Sequence, residues 1–333
     1  MGPEQAGLMA PLLAFVVAWS LTRQFCRADS RLHFLDHPNE RSLHARPVPR
    51  TGGVGVMTGV AAAGALIGLA GGVGGALPGA LGGALGLAAL GLVDDRRGLP
   101  ARVRLFAQVL AAGVFLLSVR PAGGLLEGVL LLLGLVWMAN LYNFMDGSDG
   151  LAGGMAVSGF ATLAWAALAG GQFPLAQLCA AVAAAAAGFL CFNFHPARIF
   201  MGDAGSVPLG FLAAALGITG REVGAWPLWF PLLVFSPFVM DATATLLRRA
   251  LRGEKVWEAH RSHYYQRLVR MGAGHRRTAL AAYGLMVAAG CSAMLALPMG
   301  FSLQCGVITM WLMIYVFVGW RIDCAWRRHE AAK

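Results

Sequence analysis

Charge is what this sequence has least of: Asp, Glu, Lys and Arg make up 13% of its 333 residues, against 58% that are hydrophobic. That excludes a water-soluble globule of this length, because too few polar side chains exist to cover one. Cysteine offers no scaffold either. The six (Cys26, Cys179, Cys191, Cys291, Cys305, Cys324) show no CxxC and no Cys/His ligand spacing, so neither a disulfide framework nor a zinc site is read. No cationic segment precedes the first apolar stretch and no small-residue cleavage site follows it, so that stretch is expected to be retained as a helix. The longest polar loop, Arg248 to Arg277, has about 30 residues, too few for a soluble domain. Chemistry must therefore sit on the mouth of a membrane-embedded bundle. What abounds is glycine, 45 residues, and alanine runs such as Ala180 to Ala187, which suit close helix packing in lipid.

Apolar stretches near the length that crosses a hydrocarbon core of ~30 Å lie at about residues 6–25, 53–72, 74–93, 105–119, 124–142, 150–169, 173–193, 206–219, 225–247, 278–297 and 302–320. The expectation is an all-α, polytopic transmembrane bundle of ten or eleven spans, with residues 1–333 forming one membrane domain. With the N-terminus outside, every Lys and Arg except Arg120 and Arg221 falls on the inner side, which sets the orientation by the positive-inside bias. The formal charge of +10 is accordingly read as contact with anionic membrane lipid, not with nucleic acid. Trp226, Trp229, Trp311 and Trp320 are read as interfacial anchors, and His195 as the cap of a span.

The few carboxylates are unevenly distributed. Asp94, Asp95, Asp146, Asp149, Asp203 and Asp241 stand where apolar stretches end, and this topology delivers them to one cytoplasmic plane, together with His260 and His263. Any one of them could simply mark a helix end. As a set, carboxylates at helix C-termini oppose the macrodipole unless a cation compensates. Mg²⁺, with Mn²⁺ as a substitute, is the hard cation that carboxylates and phosphates share. The acids of an ion-coupled secondary transporter, the competing class, would sit near the bilayer midplane.

Two strings sharpen this. Asn140, Asn143, Asp146 and Asp149 recur every third residue, near one slowly drifting helical face, and Gly147 and Gly150 let the chain turn out of the helix. Asn193 to Ser206 leaves one span through Pro196 and enters the next through Gly202 and Gly205. A flexible backbone around Asp203 and Phe200 suits close approach to a diphosphate and stacking on a base. No GK[ST] follows, so this is not a Walker loop. Arg50 reads either as an inner-side anchor or as a phosphate partner.

Pro47 to Gly53 (PVPRTGG), Asp94-Asp95 followed by Gly98-Leu99, Asn140 to Ala152, and Asn193 to Ser206 come in that order. Pro237 and Asp241 ahead of Arg248-Arg249 and Gly253, then the His260/His263 loop, complete the series. From Pro47 to Leu268 the chain resembles the polyprenyl-phosphate N-acetylhexosamine-1-phosphate transferases. The resemblance implies Mg²⁺-dependent transfer of HexNAc 1-phosphate from a UDP-HexNAc donor to undecaprenyl phosphate, at the cytoplasmic face of a bacterial inner membrane, with UMP released. It implies Asp94, Asp95, Asp203 and His263 as catalytic residues, Mg²⁺ on Asp203 and Asn143, and uracil on Phe200. Asp146 and Asp149 would support the nucleotide, with Asn193, Arg50 and His260 beside the donor, and Asp94 and Asp95 would receive or orient the lipid phosphate. A phosphate monoester is already mostly ionised near pH 7, so orientation and charge stabilisation outweigh a general base.

One string departs from the pattern. The family's HxHH-RL stands here as His263-Tyr-Tyr-Gln-Arg267-Leu268, with His260 upstream. This loop contacts the sugar and diphosphate in relatives, and the form found here looks like the branch that starts O-antigen units. A phospho-MurNAc-pentapeptide transferase is the alternative within the family, against which the altered loop speaks. A homodimer is compatible with the sequence.

Overall fold

The computed structural model describes residues 3–332 apart from 31–33, 39–41, 45, 73, 257 and 259, with backbone alone for 3–8. Of the basic residues that set the orientation above, Arg31, Arg41 and Lys333 lie outside the described residues. The elements run α1 (Pro3–Phe25), β1 (Leu35–Asp36), β2 (Val48–Pro49), α2 (Gly52–Leu69), α3 (Leu77–Arg97), α4 (Ala101–Val119), α5 (Gly124–Phe144) and α6 (Leu151–Ala169). Then come α7 (Phe173–Asn193), α8 (Asp203–Glu222), α9 (Trp229–Val234), α10 (Ser236–Leu251), α11 (Tyr264–Leu268), α12 (Gly274–Ala296) and α13 (Phe301–Ala331). The two short strands pair antiparallel, Leu35 opposite Pro49.

Among the described residues, nine helical stretches are long and apolar enough to cross a membrane, and α1 adds a shorter apolar run, Met9–Phe25. The expected span 225–247 is the exception, for it is broken in two at Phe235. Pro237 in the first turn of α10 has no N–H to continue the ladder. Asp241 consequently lies inside α10 rather than at the end of a span.

The helix at the centre of the bundle is α8, in which 83% of the apolar window is buried. It packs against α3 and α5, while α7 packs against α1, α2 and α6. Small residues permit this: a Cβ at Gly210 would collide with the Met138 carbonyl and Tyr142 of α5, and one at Gly91 would lie 2.5 Å from the Asp203 carbonyl. Because α8 starts at Asp203, its tight packing sets that carboxylate among the ends of α3, α5 and the chain before α2. At its far end Arg221 pairs with Glu127 of α5, at the same end as Arg120, which closes α4.

The tryptophans correct one expectation. Trp226 and Trp311 are buried, at 3% and 4% exposure, and Trp226 donates Nε1–H to the Gly217 carbonyl at 2.9 Å. A cleft at Gly220, which a Cβ would fill, accepts the Trp226 ring, so interior packing outweighs interfacial placement. Trp320 is exposed.

Candidate active site

Residues scattered over half the chain meet at one end of the bundle. Asp95, Asn143, Asp146, Asp149, Asn193, Phe200, Asp203 and Arg50, all singled out above, line a single polar cavity of about 280 Å³. A second cavity of about 840 Å³ lies between α3, α4, α5 and α10. Its walls are largely aliphatic, with Leu87, Leu90, Leu105, Leu133 and Val136, but its inner end is polar and includes Asp94 and Arg104. Leu105 and Leu133 are 51% and 57% exposed, so this groove opens on the outer surface of the bundle. Asn143 and Asp203 line both cavities.

Each carboxylate is held by backbone or cation. Asp94 and Asp95 close the last turn of α3. Asp94 accepts the Leu99 N–H at 2.5 Å and pairs with Arg104 at 3.2 Å. Asp95 accepts the N–H groups of Asp203 at 3.2 Å and Ala204 at 3.1 Å, and faces Arg50 Nε at 3.8 Å. Arg50 also donates to the Asp95 carbonyl. Arg104 reaches Asp203 as well, at 3.4 Å. These contacts amend the dipole argument: Asp203 is the first residue of α8 and Asp95 caps the same end, where the macrodipole favours negative charge. Of the six acids singled out above, Asp94 and Asp95 alone stand in the last turn of a helix, at its negative pole.

The spacing Asn140, Asn143, Asp146, Asp149 does not continue on one helical face. α5 ends at Phe144, and Asp146 and Asp149 sit in the following turn, which closes at Gly150 with φ +75°. The turn is pinned from afar. Asn193 accepts the Gly150 N–H at 3.0 Å and donates to the Ile199 carbonyl at 2.9 Å. His195, read above as a span cap, instead meets Asp149 through Nδ1 at 2.7 Å, and the Ala197 N–H reaches the same carboxylate at 3.1 Å. Burial, and then the nearby Asp203 and Asp95 carboxylates, push Asp146 well above the usual carboxylate range. Carboxylates outnumber cations here, which is an environment for a further cation.

The donor chemistry fits a divalent ion that brings its own waters and a phosphate. Among the described residues no three His, Cys, Asp or Glu side chains come together to hold a metal unaided. Asn143 donates from Nδ2 to Asp203 at 2.7 Å and to Ser206 at 2.9 Å, leaving its carbonyl oxygen free of protein donors among the described residues. One amide oxygen and one or two carboxylates suit Mg²⁺, which keeps several waters and shares ligands with phosphates.

Phe200 lines the polar cavity, with the His44 ring edge-on at 4.9 Å between centroids. Its backbone is tied to the chain before α2, Phe200 N–H to the Pro49 carbonyl at 2.7 Å and Gly52 N–H to the Phe200 carbonyl at 2.9 Å. His260 and His263 line neither cavity. His263 is 2% exposed, with Nδ1 3.3 Å from Asp241 and its ring stacked on Phe144. Burial, then His263 and the Arg249 cation, lower His260 to about 4. Gln266 of the same loop does reach the polar cavity.

Three contributors escaped sequence reasoning. Arg104 is hidden among Arg96, Arg97 and Arg102, and only the α3–α4 turn distinguishes it. His275, at the start of α12, lines the polar cavity and meets Ser148 Oγ at 2.9 Å. Gln266 occupies a histidine position of the HxHH pattern; the departure is visible in the sequence, but not that this side chain reaches the polar cavity.

Comparison with known proteins covers the same stretch of chain. The family described as Glycosyl transferase family 4 matches residues 77–221, which hold α3 to α8 and most of the cavity-lining acids. A Bacillus subtilis protein described as a probable undecaprenyl-phosphate N-acetylglucosaminyl 1-phosphate transferase is 29% identical over 83% of this chain and 81% of its own length. The decaprenyl-phosphate N-acetylglucosaminephosphotransferase of Mycobacterium tuberculosis is 30% identical, covering 82% and 78%. The undecaprenyl-phosphate alpha-N-acetylglucosaminyl 1-phosphate transferase of Yersinia pestis is 28% identical, covering 96% and 93%. The chain belongs to glycosyl transferase family 4, the polyprenyl-phosphate N-acetylhexosamine-1-phosphate transferases.

Proposed function

We propose that this protein transfers HexNAc 1-phosphate, with GlcNAc the leading candidate, from UDP-HexNAc to undecaprenyl phosphate on the cytoplasmic side of the membrane. The observation that carries this reading is that Asn143 and Asp203 belong to two cavities of opposite character. The aliphatic groove suits a polyprenyl chain, with its phosphate drawn to Arg104 at the inner end. The polar cavity suits the nucleotide, with the base against Phe200. A phosphate-bearing lipid and a diphosphate would thus meet at Asp203.

The reaction is a displacement at phosphorus. An oxygen of the lipid phosphate attacks the β-phosphorus of the donor, a new P–O–P linkage forms, and the bond to the α-phosphate breaks with UMP as leaving group. The attacking phosphate is already ionised near neutral pH, so Asp94 acts by holding Arg104 in place rather than as a base. Asp203 and Asn143 would hold Mg²⁺, which supplies neutralisation of the diphosphate charge when bound. Asp95 fixes Asp203 through the backbone of α8, and Asp149 and His195 set the turn that carries Asp146.

The basic residues of the site end favour a cytoplasmic orientation, and a role in starting O-antigen or another envelope glycan follows from the same chemistry. The test is UMP release by purified protein with undecaprenyl phosphate, Mg²⁺ and a panel of UDP-GlcNAc, UDP-GalNAc, 6-deoxy UDP-HexNAc and UDP-MurNAc-pentapeptide. Release with a UDP-HexNAc is the expected result. Release with none, or with the pentapeptide donor alone, would refute the assignment.

A further inference from the structure

The last helix is poorly packed. Only 6% of the apolar window of α13 is buried, and its buried residues are Trp311 and Gly319. One stripe of it, Tyr315, Asp323 and Trp326 with Gly319 between, nevertheless contacts polar and cationic groups of other elements, and the spacing of three and four residues keeps these positions on one face. Tyr315 and Ser236 of α10 share a hydrogen bond at 2.6 Å. Asp323 takes Arg248 of α10 in a two-pronged pair, with Nη1 and Nη2 each 2.6 Å from a separate oxygen. It also takes Arg267 of α11 at 2.9 Å. The Tyr264 ring lies beside both guanidinium groups, 5.1 Å from that of Arg248 and 5.6 Å from that of Arg267, and Arg270 lies 4.6 Å over Trp326.

What this brace holds is the short helix α11. At its start Asp241 accepts the N–H groups of Tyr264 at 2.9 Å and Tyr265 at 3.0 Å. Tyr265 Oη donates to the Phe144 carbonyl at 3.0 Å, and Gln266 lines the polar cavity beside Gly147 and Ser148. α11 runs into α12 through a π-helical turn, Val269–Ala273, that is broken at Gly272 (φ +95°), so α12 alone does not set its place. Its docking therefore depends on side chains from other elements, and Asp323 is the anchor that faces it from the last helix.

We propose that Asp323 is a positioning residue for the donor side of the site: through Arg248 and Arg267 it fixes α11, and so the register of Gln266 against the Asp146–Asp149 turn. This rests on the transferase reading. A two-pronged charge-assisted pair fixes orientation as well as distance; Asp323 is half-buried, and of its two partners Arg267, at 12% side-chain exposure, is the better screened from solvent. Since α13 buries little apolar surface, loosening this contact should leave the bundle standing while α11 shifts.

The experiment compares Asp323→Asn and Asp323→Glu with the wild-type full chain in detergent, reading donor KM, acceptor KM, thermal midpoint and amide exchange over residues 260–268. Asp323→Asn is expected to raise donor KM by about tenfold, to speed exchange at Tyr264 and Tyr265, and to leave acceptor KM and the midpoint unchanged; Asp323→Glu restores donor KM. Wild-type donor KM in Asp323→Asn overturns the inference, as does a parallel loss of both KM values and of the midpoint, which would make Asp323 merely structural. If the wild type transfers no sugar phosphate at all, the proposed function fails, and the exchange readout still decides whether Asp323 holds α11.

Discussion

The Asp95 carboxylate caps the helix that begins with Asp203, taking the N–H groups of Asp203 and Ala204 across 108 and 109 positions of sequence. Two acids that look like twin ligands are thus unequal, one positioning the other. Asp95→Asn keeps an oxygen acceptor for the cap but loses the charge, whereas Asp95→Ala loses both. The alanine variant should cost about 1–2 kcal/mol of stability, as lost helix caps do, and the asparagine variant less, with transfer severely reduced in both. Thermal unfolding in detergent alongside transfer rates checks this; equal stability of alanine variant and wild type would contradict the capping role.

Arg104 bridges Asp94 and Asp203 at the inner end of the aliphatic groove. At 41% side-chain exposure it adds little as a surface ion pair, so its main effect should be on an incoming phosphate. Arg104→Gln is expected to raise KM for polyprenyl phosphate by about tenfold, the loss of one charge-assisted contact, with a much smaller change for the nucleotide donor. Steady-state kinetics with each substrate varied in turn is the measurement, and a selective rise in donor KM would place the lipid phosphate elsewhere.

His260 gives a pH prediction. Burial, His263 and Arg249 lower it from 6.5 to about 4. Between those values the unfolded chain binds a proton that the folded chain does not, so the contribution is fully present above about pH 6.5 and is lost as pH falls toward 4. His260→Gln should reduce the drop in thermal midpoint between pH 7 and pH 5. An identical drop in variant and wild type would show that His260 titrates normally.

Much of this was readable from hydropathy and charge. The ends of α3, α5, α7 and α8 follow directly from where apolar residues give way to Asp94-Asp95, Asn143, Asn193 and Asp203, because a polar backbone can leave the helix only outside lipid. The break at Phe235 was not readable, since the run from 225 to 247 stays apolar through Pro231 and Pro237 and hydropathy does not count hydrogen bonds. Nor was the direction of the Asp203 dipole interaction, which depends on the residue opening α8 rather than closing α7. Trp226 and Trp311 look like interfacial anchors in sequence because burial depends on which helix faces them, information held in glycines such as Gly220. Arg104 and Asp323 act through partners about a hundred and 75 positions away in sequence, beyond any local spacing rule.

The account turns on Asp203 as the point where lipid phosphate and donor diphosphate meet. The direct measurement is incorporation of β-phosphate-labelled UDP-GlcNAc into lipid by wild type and by Asp203→Ala, with undecaprenyl phosphate, with and without Mg²⁺. Labelled lipid from the wild type only when Mg²⁺ is present, and none from the variant while it stays folded, is the predicted result. Undiminished labelling by Asp203→Ala would contradict it.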